Sequence, residues 1–219
     1  MKNQLSPRDV ADCMQLRTVA TTLIRLRQNQ TLNTVVTTSC SPGEGKTSVA
    51  MQLAKAATTE ARLRVLMIDF NPFNPVLASL FDVPSTPGFS DYLEGKATAE
   101  EVIRPTSPGD PDILPYGDTQ GGLLSRYDPP QLKEKLAALR SVKGRDYDLL
   151  VLDGPSSFRE PDLALNGSVF DGIILVIECE RTRWEVVRHY QNILRDGNAR
   201  LIGTVLNKRK YYIPKGLYI

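Results

Sequence analysis

Val35-Val36-Thr37-Thr38-Ser39-Cys40-Ser41-Pro42-Gly43-Glu44-Gly45-Lys46-Thr47-Ser48 is the stretch on which the fold turns. A β-branched run stops at a Gly-rich turn, and a Lys-Thr pair then opens a segment of good helix formers. This is the layout that holds polyphosphate. Glycines let backbone N–H groups converge on phosphate oxygens, and a helix N-terminus adds unpaired donors and a positive dipole end. The residues expected to cradle the phosphates are Ser41, Pro42, Gly43, Glu44, Gly45, Lys46, Thr47 and Ser48. Lys46 is placed to reach the β- and γ-phosphates, and Thr47 to offer its hydroxyl to Mg²⁺. The strict pattern has a glycine where this chain carries Cys40.

The rest of the composition narrows the class. A chain of 219 residues has room for one domain with a large two-sided core. A hydrophobic content of 41% with 24% charged residues is that of a soluble globular protein. A net charge of +2 is too small to make nucleic acid the expected partner. Cys13, Cys40 and Cys179 are an odd number without metal-binding spacing, which fits a reducing cytoplasm. Cys40 reads either as a redox-sensitive thiol or as an inert small residue. No apolar run reaches the length of a membrane span and no secretory signal opens the chain, so membrane association is expected to go through a partner.

Outward from the loop, the pattern alternates. Residues 8–28 contain no Gly or Pro and carry apolar residues at helical steps, which predicts a helix. Strands are expected at 33–38, Val65-Leu66-Met67-Ile68, Ile113-Leu114, Leu149-Leu150-Val151-Leu152, Ile173 to Ile177 and Leu201 to Leu206. Most are continuous apolar runs, as in strands buried on both faces. Helices are expected after the loop and at 129–142, 160–167 and 181–196. Strands alternating with helices imply an α/β fold, a mainly parallel doubly wound sheet with helices on both faces. Residues 84–130 hold eight of the 15 prolines and should form surface loops with short helices. The expected division is a phosphate-binding domain over 1–207 and a flexible basic tail over 208–219.

Asp69 and Asp153 each end an apolar strand. In parallel α/β sheets the ligand lies outside the carboxyl ends of the strands, so both carboxylates should flank the phosphate loop. Alone, either could be a turn former or a helix cap. Together with Lys46 and Thr47 they form a set that suits Mg²⁺, which takes one or two carboxylates plus phosphate oxygens. Asn207 ends the last strand, where its amide can pair with the N6 and N7 edge of adenine or serve a turn. His189 has no ligand or triad partner in the sequence. Lys208-Arg209-Lys210 reads as a solvated tail or an anion-attracting cluster. Tyr211, Tyr212 and Tyr218 are either rings that dock on a neighbouring surface or phosphoacceptors.

These residues resemble the cytoplasmic catalytic domain of bacterial tyrosine kinases, which regulate capsule and exopolysaccharide export. The resemblance rests on the Pro42-Gly43-Glu44-Gly45-Lys46 core and on Tyr147 to Pro155 as a Walker B strand. Gly88 to Gly95 and Ile113 to Gly117 match the family's middle segment, and the likeness runs from about residue 8 to 210. It implies a P-loop NTPase fold of the deviant-Walker, MinD- and ParA-like kind. It further implies Mg²⁺-dependent transfer of the ATP γ-phosphoryl group to C-terminal tyrosines. Lys46, Asp69 and Asp153 would then be catalytic, with Thr47, Asp153 and Asp69 at the metal. The implied partner is the cytoplasmic segment of a membrane polysaccharide co-polymerase, which would hold the chain peripherally at the inner membrane. The helix at 8–28 would serve as a homo-oligomerisation element.

Two motifs depart from the family. Its Asp-x-Asp-x-Arg motif reads Asp69-Phe70-Asn71-Pro72-Phe73, and its Glu-x-x-Arg-x-x-Arg ring motif aligns with Ala11, Met14 and Arg17. The alternative reading is therefore a weakly active or inactive, pseudokinase-like ATP-binding regulatory subunit. A partitioning ATPase of the same superfamily would carry a signature lysine where Ser41 stands, five residues before Lys46.

Overall fold

Six parallel strands in the order β3-β2-β6-β1-β7-β8 form the central sheet of the computed structural model, which describes residues 32–118, 126–156 and 166–209. In chain order the elements are β1 (Thr34–Ser39), α1 (Lys46–Thr59), β2 (Val65–Asp69), α2 (Leu77–Leu80), α3 (Phe89–Leu93) and α4 (Ala99–Val102). There follow β3 (Asp112–Leu114), α5 (Pro129–Ala138), a two-strand hairpin of β4 (Ser141–Val142) and β5 (Arg145–Asp146), and β6 (Leu149–Ser156). A 3₁₀ turn (Gly167–Val169), β7 (Gly172–Glu178), α6 (Trp184–Asp196) and β8 (Leu201–Asn207) close the described chain. The expected helix at 8–28, most of that at 160–167, and Tyr211, Tyr212 and Tyr218 lie outside the described residues. Among the described residues no helix is long and apolar enough to cross a membrane.

The continuous apolar runs become strands with two buried faces. Val36, Leu66, Ile68, Leu150, Leu152 and Leu175 face one layer, which α3, α5 and α6 cover with residues such as Phe89, Leu132 and Leu194. Val35, Met67, Val151 and Ile174 face the other, covered by Ala50, Leu53, Ala54 and Ala57 of α1. A fully buried Leu, Ile or Val contributes roughly 1.5–3 kcal/mol, so both layers are substantial. With both faces apolar, a slip of one residue sacrifices less burial than in a one-sided sheet. Polar pins oppose such a slip. The Thr37 hydroxyl donates to the Leu152 carbonyl at 3.3 Å, and the Thr38 hydroxyl to the Pro155 carbonyl at 2.8 Å. At the opposite end of the sheet, Asp171 Oδ2 accepts the N–H groups of Asn33 and Thr34 at 2.8 and 2.9 Å.

Three expectations need correction. The helix expected at 129–142 stops at Ala138, and residues 141–146 turn back as a hairpin. Lys143 and Gly144 both take positive φ, 44° and 74°, the requirement of a type I′ turn. The strand expected at 149–152 continues to Ser156, through Pro155. An interior proline is tolerated because the β1–β6 register shifts between Thr37 and Ser39, where a ladder bond is already lost. The helix expected from 181 starts at Trp184, since the Thr182 hydroxyl is drawn to the Glu44 carboxylate.

Candidate active site

β1 lies between β6 and β7, and β6 lies between β1 and β2. The strand ends therefore bring Thr37, Asp153 and Asp69 abreast, as consecutive register partners across the three strands. The loop from Cys40 to Gly45 rises from β1 and delivers Lys46 as the first residue of α1. Gly43 and Gly45 adopt φ of +82° and +93°. Such alternation of left-handed and ordinary residues turns successive N–H groups into one concavity, an anion nest.

Asp153 is the pivot of the site. Its Oδ2 accepts the Thr47 hydroxyl at 2.6 Å, and its buried Oδ1 accepts no hydrogen bond among the described residues. Burial pushes its carboxyl up to about 7; neighbouring Asp69 adds to the rise, while the Thr47 hydroxyl and Lys46 oppose it. A buried acceptor left unsatisfied costs about 1–3 kcal/mol, and a hard cation would satisfy it. The chemistry of the set — one hydroxyl, one orphaned carboxylate oxygen, a buried lysine and a nest of amides — fits Mg²⁺ with a polyphosphate. No cluster of three or more His, Cys, Asp or Glu occurs among the described residues, so a metal here would share phosphate oxygens.

Asp69 is differently occupied. Its Oδ2 accepts the N–H groups of Val76 and Leu77 at 2.8 and 3.0 Å, and its Oδ1 that of Asn71 at 3.3 Å. It thus ties the β2–α2 turn together. Burial raises its pKa to about 6 in spite of those three donors. Asn71 folds back on the same turn. Its Oδ1 accepts the Phe73 N–H at 3.3 Å and its Nδ2 donates to the Asn74 carbonyl at 3.4 Å.

Glu44 is the residue whose role the sequence conceals. Its carboxylate is fully buried and accepts the Ser41 N–H at 2.8 Å, the Glu178 N–H at 3.5 Å and the Thr182 hydroxyl. Thr182, Glu178 and Lys208 all join the loop network and were not foreseen. The usable signal was their position at or just beyond the ends of β7 and β8, on the carboxyl side of the sheet. Asn207, expected at the adenine, donates its Nδ2 to the Glu44 carbonyl at 2.9 Å. Cys40 is buried, and burial with the nearby Glu44 carboxylate pushes its thiol up to about 12.

Comparison with known proteins places this geometry. The chain is 27% identical over 196 residues to the tyrosine-protein kinase YwqD of Bacillus subtilis, covering 90% of this chain and 81% of that protein. It is 28% identical to the putative tyrosine-protein kinase EpsB of Ralstonia nicotianae, covering 88% of this chain but only 25% of that much longer protein. The VpsO kinase domain superposes with a TM-score of 0.79 at 28% identity, over 94% of this chain and all of that one. This chain is a homologue of the bacterial tyrosine kinases. No family profile matches it. A wider likeness, of fold alone, extends to the septum site-determining protein MinD from Pyrococcus horikoshii, solved with Mg-ADP (TM-score 0.63, 24% identity, 84% of this chain and 75% of that one). The six-stranded parallel sheet is thus one that this chain shares, as a fold, with that protein. In this bacterial tyrosine kinase homologue Lys46 opens α1 and Asp153 lies in β6. Just past β2, Asn71 and Phe73 stand where the resemblance implies an aspartate and an arginine.

Proposed function

We propose that this chain is an ATP-binding protein of capsule or exopolysaccharide biosynthesis that transfers the γ-phosphoryl group of ATP to tyrosines. The observation that carries the reading is the Thr47–Asp153 pair beneath a glycine nest, with the second Asp153 oxygen buried and unsatisfied among the described residues. Thr47 and Asp153 would hold Mg²⁺, with Asp69 beside them, and the metal would neutralise charge on the phosphates. Lys46 and the loop amides bind and align the transferring group. Asp69 orients the attacking hydroxyl and receives its proton, and its raised pKa of about 6 makes it a better base than a solvated aspartate. Asn207 contributes from the adenine side. The acceptors are Tyr211, Tyr212 and Tyr218 of a neighbouring copy. Activation comes from the cytoplasmic segment of a membrane polysaccharide co-polymerase, which keeps the chain at the cytoplasmic face of the inner membrane.

One observation favours a second reading, an ATP-binding regulatory subunit with little transfer activity. Asp69 and Asn71 are committed to bracing their own turn, and Asn71 brings no charge to a metal. Incubation with radiolabelled ATP and the activator segment separates the two. The kinase reading expects label in the peptide bearing Tyr211, Tyr212 and Tyr218, abolished by Lys46→Met. ATP binding without tyrosine label would leave only the regulatory subunit. Unchanged ATP affinity in Lys46→Met would remove the site assignment altogether.

A further inference from the structure

The loop is gripped from behind by the end of β8. Lys208 Nζ donates to the Gly43 carbonyl at 2.5 Å and pairs with Glu178 Oε2 at 3.1 Å, while Asn207 Nδ2 donates to the Glu44 carbonyl at 2.9 Å. These are consecutive carbonyls. A peptide unit is planar and trans, so its C=O and N–H point in opposite directions. Fixing the Gly43 carbonyl therefore fixes the Glu44 N–H, and fixing the Glu44 carbonyl fixes the Gly45 N–H. Both N–H groups belong to the stretch that forms the nest. The grip is itself anchored, because the Cys179 N–H donates to the Asn207 carbonyl at 2.9 Å and Glu178 closes β7 beside β1.

We propose that Lys208, with Asn207, is a positioning residue that aims the Glu44 and Gly45 amides at the phosphates of a bound nucleoside polyphosphate without touching them. This rests on the nucleotide-binding reading above and adds a residue outside the loop motif. A lysine at the start of the tail thereby acts through the peptide planes of a loop more than 160 residues earlier in the chain. The ammonium is partly exposed, so the grip is moderate in strength.

The test uses the full chain with Lys208→Met and Lys208→Arg. Amide hydrogen exchange of residues 43–46, measured without nucleotide, should be about fivefold faster in Lys208→Met, the weight of one charge-assisted hydrogen bond near the surface. Mg-ADP affinity should fall by a similar factor while Tm without nucleotide stays unchanged, and Lys208→Arg should recover most of both. Equal exchange and equal affinity in Lys208→Met and the unchanged chain would overturn the proposal. Equal loss in Lys208→Met and Lys208→Arg would also overturn it, since a guanidinium can make the same grip. If the unchanged chain bound no Mg-ADP, the nucleotide reading would fall, and the exchange comparison would still decide whether Lys208 orders the loop.

Discussion

Toward β1 and β7, the groups around Asp153 are turned to an outside ligand, whereas toward β2 the corresponding groups are turned to one another. On the first side an Asp153 oxygen is buried without a partner among the described residues, and Glu44, Asn207 and Lys208 brace a glycine nest. On the second side Asp69 satisfies three backbone N–H groups and Asn71 closes a turn on Phe73. Unmet hydrogen-bonding capacity in a buried place marks where a ligand is expected. By that measure the β1–β7 half has capacity left for a ligand, while on the β2 side the Asp69 oxygens already accept hydrogen bonds from their own turn.

The comparison can be broken most forcefully on its binding side. Gly45→Ala puts a Cβ at φ +93° and 2.1 Å from Asn207 Nδ2, so the turn must distort and the grip on Glu44 must move. A left-handed non-glycine residue alone costs about 1–2 kcal/mol. The expected result is a loss of Mg-ADP affinity of about tenfold or more, measured by calorimetry, and an unchanged affinity would show that the nest is not the phosphate site. On the other side, Asn71→Asp keeps the acceptor for the Phe73 N–H and gives up only the long Asn74 contact. It also adds a carboxylate beside Asp69. If the β2 side limits transfer, tyrosine labelling should rise by about tenfold or more, toward the roughly hundredfold lower end of the range for a positioned acid–base group. No gain would mean that the deficit lies elsewhere, for instance in assembly. The smallest effect concerns Cys40. Its pKa is raised, so the thiol stays protonated through neutral and mildly alkaline pH, and the thiolate is the reactive form. Iodoacetamide at pH 8 should modify the half-buried Cys179 well before Cys40, and rapid labelling of Cys40 would show a more open loop than the one described.

Much of this architecture was legible because buried parallel strands advertise themselves as unbroken apolar runs. All six sheet strands fall where Val65 to Ile68, Leu149 to Leu152 and their counterparts placed them. Asp69 and Asp153 could be brought together on topology alone, since both end such runs. What stayed hidden was decided by contacts between distant segments. The early end of α5 was signalled locally by Lys143-Gly144, a hairpin turn whose first strand, Ser141-Val142, falls within the span expected to be helix. The delayed start of α6 was not signalled locally, since Thr182 leaves the helix for a carboxylate 138 residues away. Glu44 looked like one loop residue among several. Only its burial and its three donors show that it fastens the loop to the β7 side.

Asp171 offers a way to pull folding and chemistry apart. It gathers the entry N–H groups of Asn33 and Thr34 at the amino end of the strand whose other end carries the phosphate loop. None of the contacts described at the candidate site involves it, yet it ties the start of β1 to the start of β7. Selection on temperature tolerance can therefore act on this carboxylate without altering the phosphate grip. A substitution at Asp171 should therefore lower stability and leave what the loop binds unchanged, since the two ends of β1 are held by separate contacts.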